Sequence, residues 1–76
     1  MEEQIIEILE NIRPGVDYAA VTDLIDGKYL KSGHIIQLVG ELNDEFDIEI
    51  GFVDLVAENF NSVAAMAALV ERLQDE

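Results

Sequence analysis

The sequence predicts an all-α fold: a small four-helix bundle over residues 1–76, with a short third helix and a long loop between helices 1 and 2. Three observations predict it. Apolar residues recur at i, i+3, i+4 and i+7 in several stretches, the spacing of one helix face. The alternation at Ile48-Glu49-Ile50 covers three residues, too few for a sheet. The chain has 76 residues and no cysteine. It therefore makes a single domain held by packing alone, with no disulfide and no thiolate site.

The first helix is predicted over residues 2–12. Ile5, Ile8, Leu9 and Ile12 follow the template, with Ile6 beside them. Glu2 and Glu3 lie where the helix dipole favours negative charge. Pro14-Gly15 stops the helix. Residues 13–31 then form a long connection carrying Val16, Tyr18, Val21, Leu24, Ile25 and Leu30. That content is unlike a Gly/Ser linker and points to a loop packed by its own side chains. One helical turn fits around Ala19–Ile25, and Asp26-Gly27 is a turn signal.

The second helix is predicted over residues 32–47, with a buried stripe of Ile35, Leu38, Val39, Leu42 and Phe46. Gly40 is a mid-helix glycine, costing roughly 1 kcal/mol against alanine and marking either a close approach or nothing. Ile48-Glu49-Ile50 reads as an extended link that drops Ile50 into the core. A short third helix is expected over residues 52–57, with Phe52, Leu55 and Val56 turned inward; Glu58-Asn59-Phe60-Asn61 breaks the pattern. Ser62 caps the fourth helix, residues 63–74. Its stripe is Val63, Met66, Ala67, Val70 and Leu73, and Arg72 suits the carboxyl end.

Composition narrows the function. A chain this short buries only about 60% of the surface its unfolded form exposes. That leaves little room for an enclosed active site, so an enzyme is not expected. The net charge is −13. Nucleic acid and anionic membranes are polyanions and make poor partners, whereas basic protein surfaces are favoured. No apolar run approaches the ~20 residues of a membrane span, so no membrane insertion is expected. Met1-Glu2-Glu3 lacks the basic start of a secretory signal. A cytoplasmic protein, monomeric by default, is the expectation.

One histidine and no cysteine exclude the usual zinc ligand sets. No segment has EF-hand spacing; Asp23-Leu24-Ile25-Asp26-Gly27 fails at once. His34 is two residues from Ser32, and positions i and i+2 of a helix do not face each other. A surface histidine is the simpler reading. The acids around the second helix form either a solvated face or a docking surface. Ser32 also has two readings from spacing alone. As a cap, its hydroxyl accepts a backbone N–H, worth ~1 kcal/mol. As an attachment point, it sits at a loop-to-helix junction, where free N–H groups and positive potential suit a phosphate.

At these residues the chain resembles the acyl carrier protein family, which includes peptidyl and D-alanyl carrier proteins. The resemblance runs from Ser32 through Ile36, Leu38, Leu42, Asn43-Asp44-Glu45-Phe46 and Ile48-Glu49-Ile50. Upstream, Asp23-Leu24-Ile25-Asp26-Gly27 resembles the lead-in of free-standing carriers. Downstream, Glu58-Asn59-Phe60-Asn61-Ser62-Val63 resembles the loop into the family's last helix. The resemblance implies a carrier-type bundle with 4′-phosphopantetheine on Ser32, added from coenzyme A by a phosphopantetheinyl transferase. Acyl or aminoacyl groups would ride on its thiol as thioesters, loaded and taken up by partner enzymes. The carrier itself would not be an enzyme. Docking would use the second helix through Gln37, Gly40, Glu41 and Asp44, with Lys31 and Gly33 flanking the serine. In the family's pattern an aspartate precedes the serine and a large apolar residue follows it; Lys31 and Gly33 stand there here. That departure motivates a second reading, a carrier-like interaction module that is never modified.

Overall fold

The computed structural model describes residues 1–76 as a small all-helical bundle measuring 32 × 23 × 19 Å. Helix α1 spans Glu2–Ile12, α2 Ser32–Phe46, α3 Ala57–Phe60 and α4 Val63–Gln74, with a 3₁₀ turn at Phe52–Asp54. There is no strand. Helix α1 packs on α2 and α4, α3 lies on α4, and α2 touches α4 more lightly. Fifteen hydrophobic residues are buried in one core.

Each long helix turns the stripe its spacing predicts toward the core, although Ile12, Ile35, Val39, Phe46 and Leu73 pack against it only half-buried. Ile5, Ile8 and Leu9 face inward from α1, and Leu38 and Leu42 from α2. From α4 come Val63, Met66, Ala67 and Val70, with Leu69 added. Helix α1 ends because the residue before a proline is pushed out of the helical region. Arg13 is accordingly extended, at φ −144° and ψ 94°. Ser62 caps α4 as expected, its hydroxyl accepting from the Ala65 N–H at 3.0 Å.

The 13–31 connection is packed, not flexible. Tyr18, Leu24 and Leu30 are buried members of the core. In place of a helical turn over Ala19–Ile25 there are two separate turns, at Tyr18–Ala20 and Leu24–Lys28. The second is tight enough to require glycine. A Cβ on Gly27 would lie 2.7 Å from the Asp23 carbonyl oxygen and 2.9 Å from the Tyr29 ring. The Tyr18 hydroxyl donates to the Arg13 carbonyl, tying the loop to the end of α1. Burial raises the Tyr18 phenol above its ordinary value of 10.0; nearby Arg13 pulls it down and Glu10 pushes it up.

Helix α2 ends at Asp47, in the left-handed region at φ 51°. Aspartate tolerates that conformation better than most residues. The Asn43 side-chain oxygen then accepts from the Ile50 N–H at 3.0 Å. This fixes the extended link and delivers Ile50 to the core, as its sequence suggests.

The third helix departs from expectation. Residues 52–57 do not form it, and Phe52, Leu55 and Val56 do not turn inward. Phe52 is 91% exposed and Val53 87%. The inward position is taken by Asp54, whose Oδ1 accepts from Arg72 Nη2 at 3.0 Å and whose Oδ2 accepts from the Gly51 N–H at 3.3 Å. A carboxylate needs such partners to be buried. Leu55, at φ −83° and ψ 66°, then breaks the helical path. The helix forms one turn later, over Ala57–Phe60, and Phe60 is its buried residue. The expected pattern breaker is therefore the helix itself.

Candidate functional site

Ser32 is the first helical residue of α2, not its cap. The cap position belongs to Lys31, whose backbone is extended at φ −108° and ψ 174°. The Lys31 carbonyl starts the helix by accepting from the Ile35 N–H at 3.0 Å. The Lys31 N–H donates to His34 Nδ1 at 3.0 Å. His34, read from sequence as a surface histidine, is half-buried and completes half of a capping box. With the cap supplied this way, the Ser32 hydroxyl makes no hydrogen bond and is exposed. Of the two readings open at the sequence level, the cap is the one the geometry removes.

An apolar cleft of about 380 Å³ opens beside the serine. Ile25 and Leu30 of the first loop form one wall, and Ile35 and Ile36 of α2 another. Leu55, Val56, Ala57 and Phe60 close the third side. The only polar residues on its lining are Lys31 and Ser32. The wall from the loop is held by Asn61, just after α3. Its side-chain oxygen accepts from the Ile25 and Asp26 N–H groups at 3.0 and 3.1 Å, and its amide donates to Asp26 Oδ2 at 3.0 Å. The Asn61 carbonyl accepts from the Leu24 N–H at 2.8 Å. One residue thus fixes the loop that leads into the serine.

The other residues singled out from sequence lie along α2. Gly33, Gln37, Gly40 and Asp44 are exposed with Lys31. A Cβ on Gly33 or Gly40 would meet nothing within 4 Å, so no part of this chain approaches either glycine. Glu41 differs. It is half-buried toward α1, lining a shallow depression with Gln4, Glu7 and Asn11, and its Oε2 is shielded from solvent without a hydrogen-bond partner. The structure therefore brings Lys31, Ser32 and the cleft together, while Gln37, Gly40 and Asp44 extend along the helix beyond it.

This arrangement presents the Ser32 hydroxyl to solvent. A nucleophilic serine needs a base in hydrogen-bond reach and a third group to orient that base. His34 Nδ1 is committed to the Lys31 amide instead. No group of three or more His, Asp or Glu side chains is gathered to hold a metal ion. No helix is long and apolar enough to cross a membrane.

Sequence reasoning missed the cleft and Asn61. The cleft depends on Leu55 and Val56 standing at the surface, which a helical pattern over 52–57 conceals. Asn61 carried a weak signal, as a polar residue between a buried aromatic and a capping serine. Comparison with protein-family models, with curated proteins and with solved structures returns no match to this chain.

Proposed function

We propose that the protein is a carrier that tethers acyl or aminoacyl groups through 4′-phosphopantetheine on Ser32, as its resemblance to the acyl carrier protein family implies. One observation carries the reading: an exposed, uncommitted serine hydroxyl at the first position of α2, on the lip of an apolar cleft.

The residues fit the group. The first-turn N–H groups of α2 have no intrahelical partner and suit the oxygens of a phosphodiester. Lys31 beside them is unfavourable against the helix dipole by roughly 0.3–1 kcal/mol when alone. With a phosphodiester on its neighbour, that cation gains an anionic partner. Gly33 leaves open space next to the serine. Ile25, Leu30, Ile36 and Val56 offer apolar surface to cargo, sparing it from water. When bound, the arm supplies a thiol that holds cargo as a thioester. The chain's own residues anchor, neutralise and shelter; they catalyse nothing. Partners would be a phosphopantetheinyl transferase and the enzymes that load and take up the cargo.

Incubation with coenzyme A and a broad-specificity phosphopantetheinyl transferase tests the reading. Intact-mass measurement is expected to show one added arm, and Ser32→Ala to abolish it. An unshifted mass beside a carrier that does shift would refute it. Lys31 in the place of the family's aspartate favours a second reading, an interaction module never modified. Under that reading Ser32→Ala leaves cellular function and partner binding intact.

A further inference from the structure

Two helices of this chain have a serine at their start, and the two hydroxyls meet opposite fates. Ser62 caps α4: its hydroxyl accepts from the Ala65 N–H and its carbonyl from the Met66 N–H, both at 3.0 Å. Ser32 makes no such bond. It stands exposed at the first helical position of α2, because Lys31 holds the cap position. Residue preference predicts the reverse, since serine is among the favoured caps and lysine is not. A group outside the serine therefore sets where α2 begins.

The two starts differ three residues beyond the residue that precedes each serine. Beyond Lys31 that residue is His34, whose Nδ1 accepts from the Lys31 N–H at 3.0 Å. Beyond Asn61 it is Ala64, whose side chain has no acceptor. A side chain that reaches back to the cap N–H from this position is half of a capping box, a role glutamate and glutamine usually fill. With its N–H held, Lys31 keeps an extended backbone, and its carbonyl accepts from the Ile35 N–H at 3.0 Å. That N–H is the donor a capping Ser32 would claim, because a cap hydroxyl accepts from two or three residues on. In α4 the Ala65 N–H fills the same place. The Ile35 N–H goes either to the Lys31 carbonyl or to the Ser32 hydroxyl, and the His34 bond favours the first.

We propose that His34 is a positioning residue, which keeps the Ser32 hydroxyl free by setting where α2 begins. It acts through the backbone and not on the serine, since positions i and i+2 of a helix do not face each other. Its Nδ1 must be bare to accept, so the neutral ring carries its proton on Nε2. On the carrier reading, on which this rests, a free hydroxyl matters at the transfer step. Ser32 Oγ forms the new bond to phosphorus of coenzyme A, and the pyrophosphate P–O bond breaks. The nucleotide bisphosphate leaves, and the hydroxyl proton passes to a base of the transferase. A hydroxyl that capped α2 would have a lone pair engaged by the Ile35 N–H, and its oxygen would be drawn back over the helix end.

The test compares His34→Ala and His34→Gln with the parent, by carbon and amide chemical shifts and by the initial rate of arm addition from coenzyme A. In His34→Ala the Ser32 Cα and Cβ signals are expected to move from helical to extended values, and the Ile35 amide signal to move with them. The rate is expected to fall about fivefold, the factor a cap of ordinary strength confers. The melting temperature is expected to change little, because a serine cap replaces the lost bond. Glutamine reaches back to the cap N–H as His34 does. His34→Gln is therefore expected to restore the Ser32 signals and a rate within about twofold of the parent. Helical Ser32 signals in His34→Ala, or addition at the parent's rate in that variant, would overturn the proposal. So would a His34→Gln variant that behaves like His34→Ala. A histidine that served stability alone would lower the melting temperature and leave the Ser32 signals in place. A parent that takes no arm would count against the carrier reading alone, because the Ser32 and Ile35 signals decide where α2 begins with no transferase present.

Discussion

The two connections of this bundle use apolar residues in opposite ways. The loop from Arg13 to Lys31 buries Tyr18, Leu24 and Leu30. The link from Asp47 to Val56 buries Ile50 and then leaves Phe52 and Val53 in solvent. Local hydrophobicity does not separate them. What separates them is where each polar anchor lies. Asn61 reaches across to the first loop's backbone at Leu24, Ile25 and Asp26, which leaves that loop's side chains free to pack. In the second link the anchor is the link's own Asp54, which occupies the inward position itself. A backbone-directed anchor draws apolar side chains in; a side chain buried from within the segment turns them out. Leaving a large apolar side chain exposed forgoes roughly 1.5–3 kcal/mol each. On a domain of this size that is a substantial sacrifice.

The largest expected effect probes the buried side of this contrast. Leu24→Ala should destabilise by about 2–5 kcal/mol, the range for an emptied core position. Phe52→Ser should change stability by under ~0.5 kcal/mol, as exposed substitutions do. Urea titration of both variants checks the pair, and a comparable loss in both would remove the distinction. Next, Asn61→Ala should cost about 1–2 kcal/mol, at ~1 kcal/mol for each net hydrogen bond to a partly buried group. Hydrogen exchange should quicken at the Ile25 amide before it does in α4. Smaller again, Gly40→Ala should stabilise by about 1 kcal/mol, because nothing in the chain meets the added methyl. If α2 is a docking face, the same change weakens partner binding despite the gain in stability.

The smallest effect is on pH dependence. Burial raises the Tyr18 phenol above 10.0 in the folded chain. The unfolded chain therefore loses this proton first as pH rises. The contribution is fully present below the unfolded value and fades as pH climbs through the higher folded one. A denaturant midpoint that drops less in Tyr18→Phe than in the parent above pH 10 is the expected result.

Much of the candidate site was legible in the residues. Ser32 at the start of an amphipathic helix, and the stripe behind it, follow from spacing. The identity of the cap did not follow, because serine is a common cap residue and lysine is not. Which residue caps depends on backbone angles at Lys31 and on His34 folding back. The cleft was also illegible, since three separate segments line it.

The sequence by itself determined the all-helical class, the three long helices and the inward stripes of each. Those are properties of periods three and four residues long, where neighbours along the chain are neighbours in space. It also determined the anionic surface, which is a sum over side chains and needs no fold. Only the tertiary structure decided the third helix, the outward turn of Phe52 and Val53, and the freedom of the Ser32 hydroxyl. Each depends on a polar partner distant in sequence or on a backbone angle no spacing encodes. Arg72 lies eighteen residues from Asp54, and Asn61 lies 36 from Ile25. Contacts of that separation form only when the whole chain closes, so short-range patterns carry no trace of them.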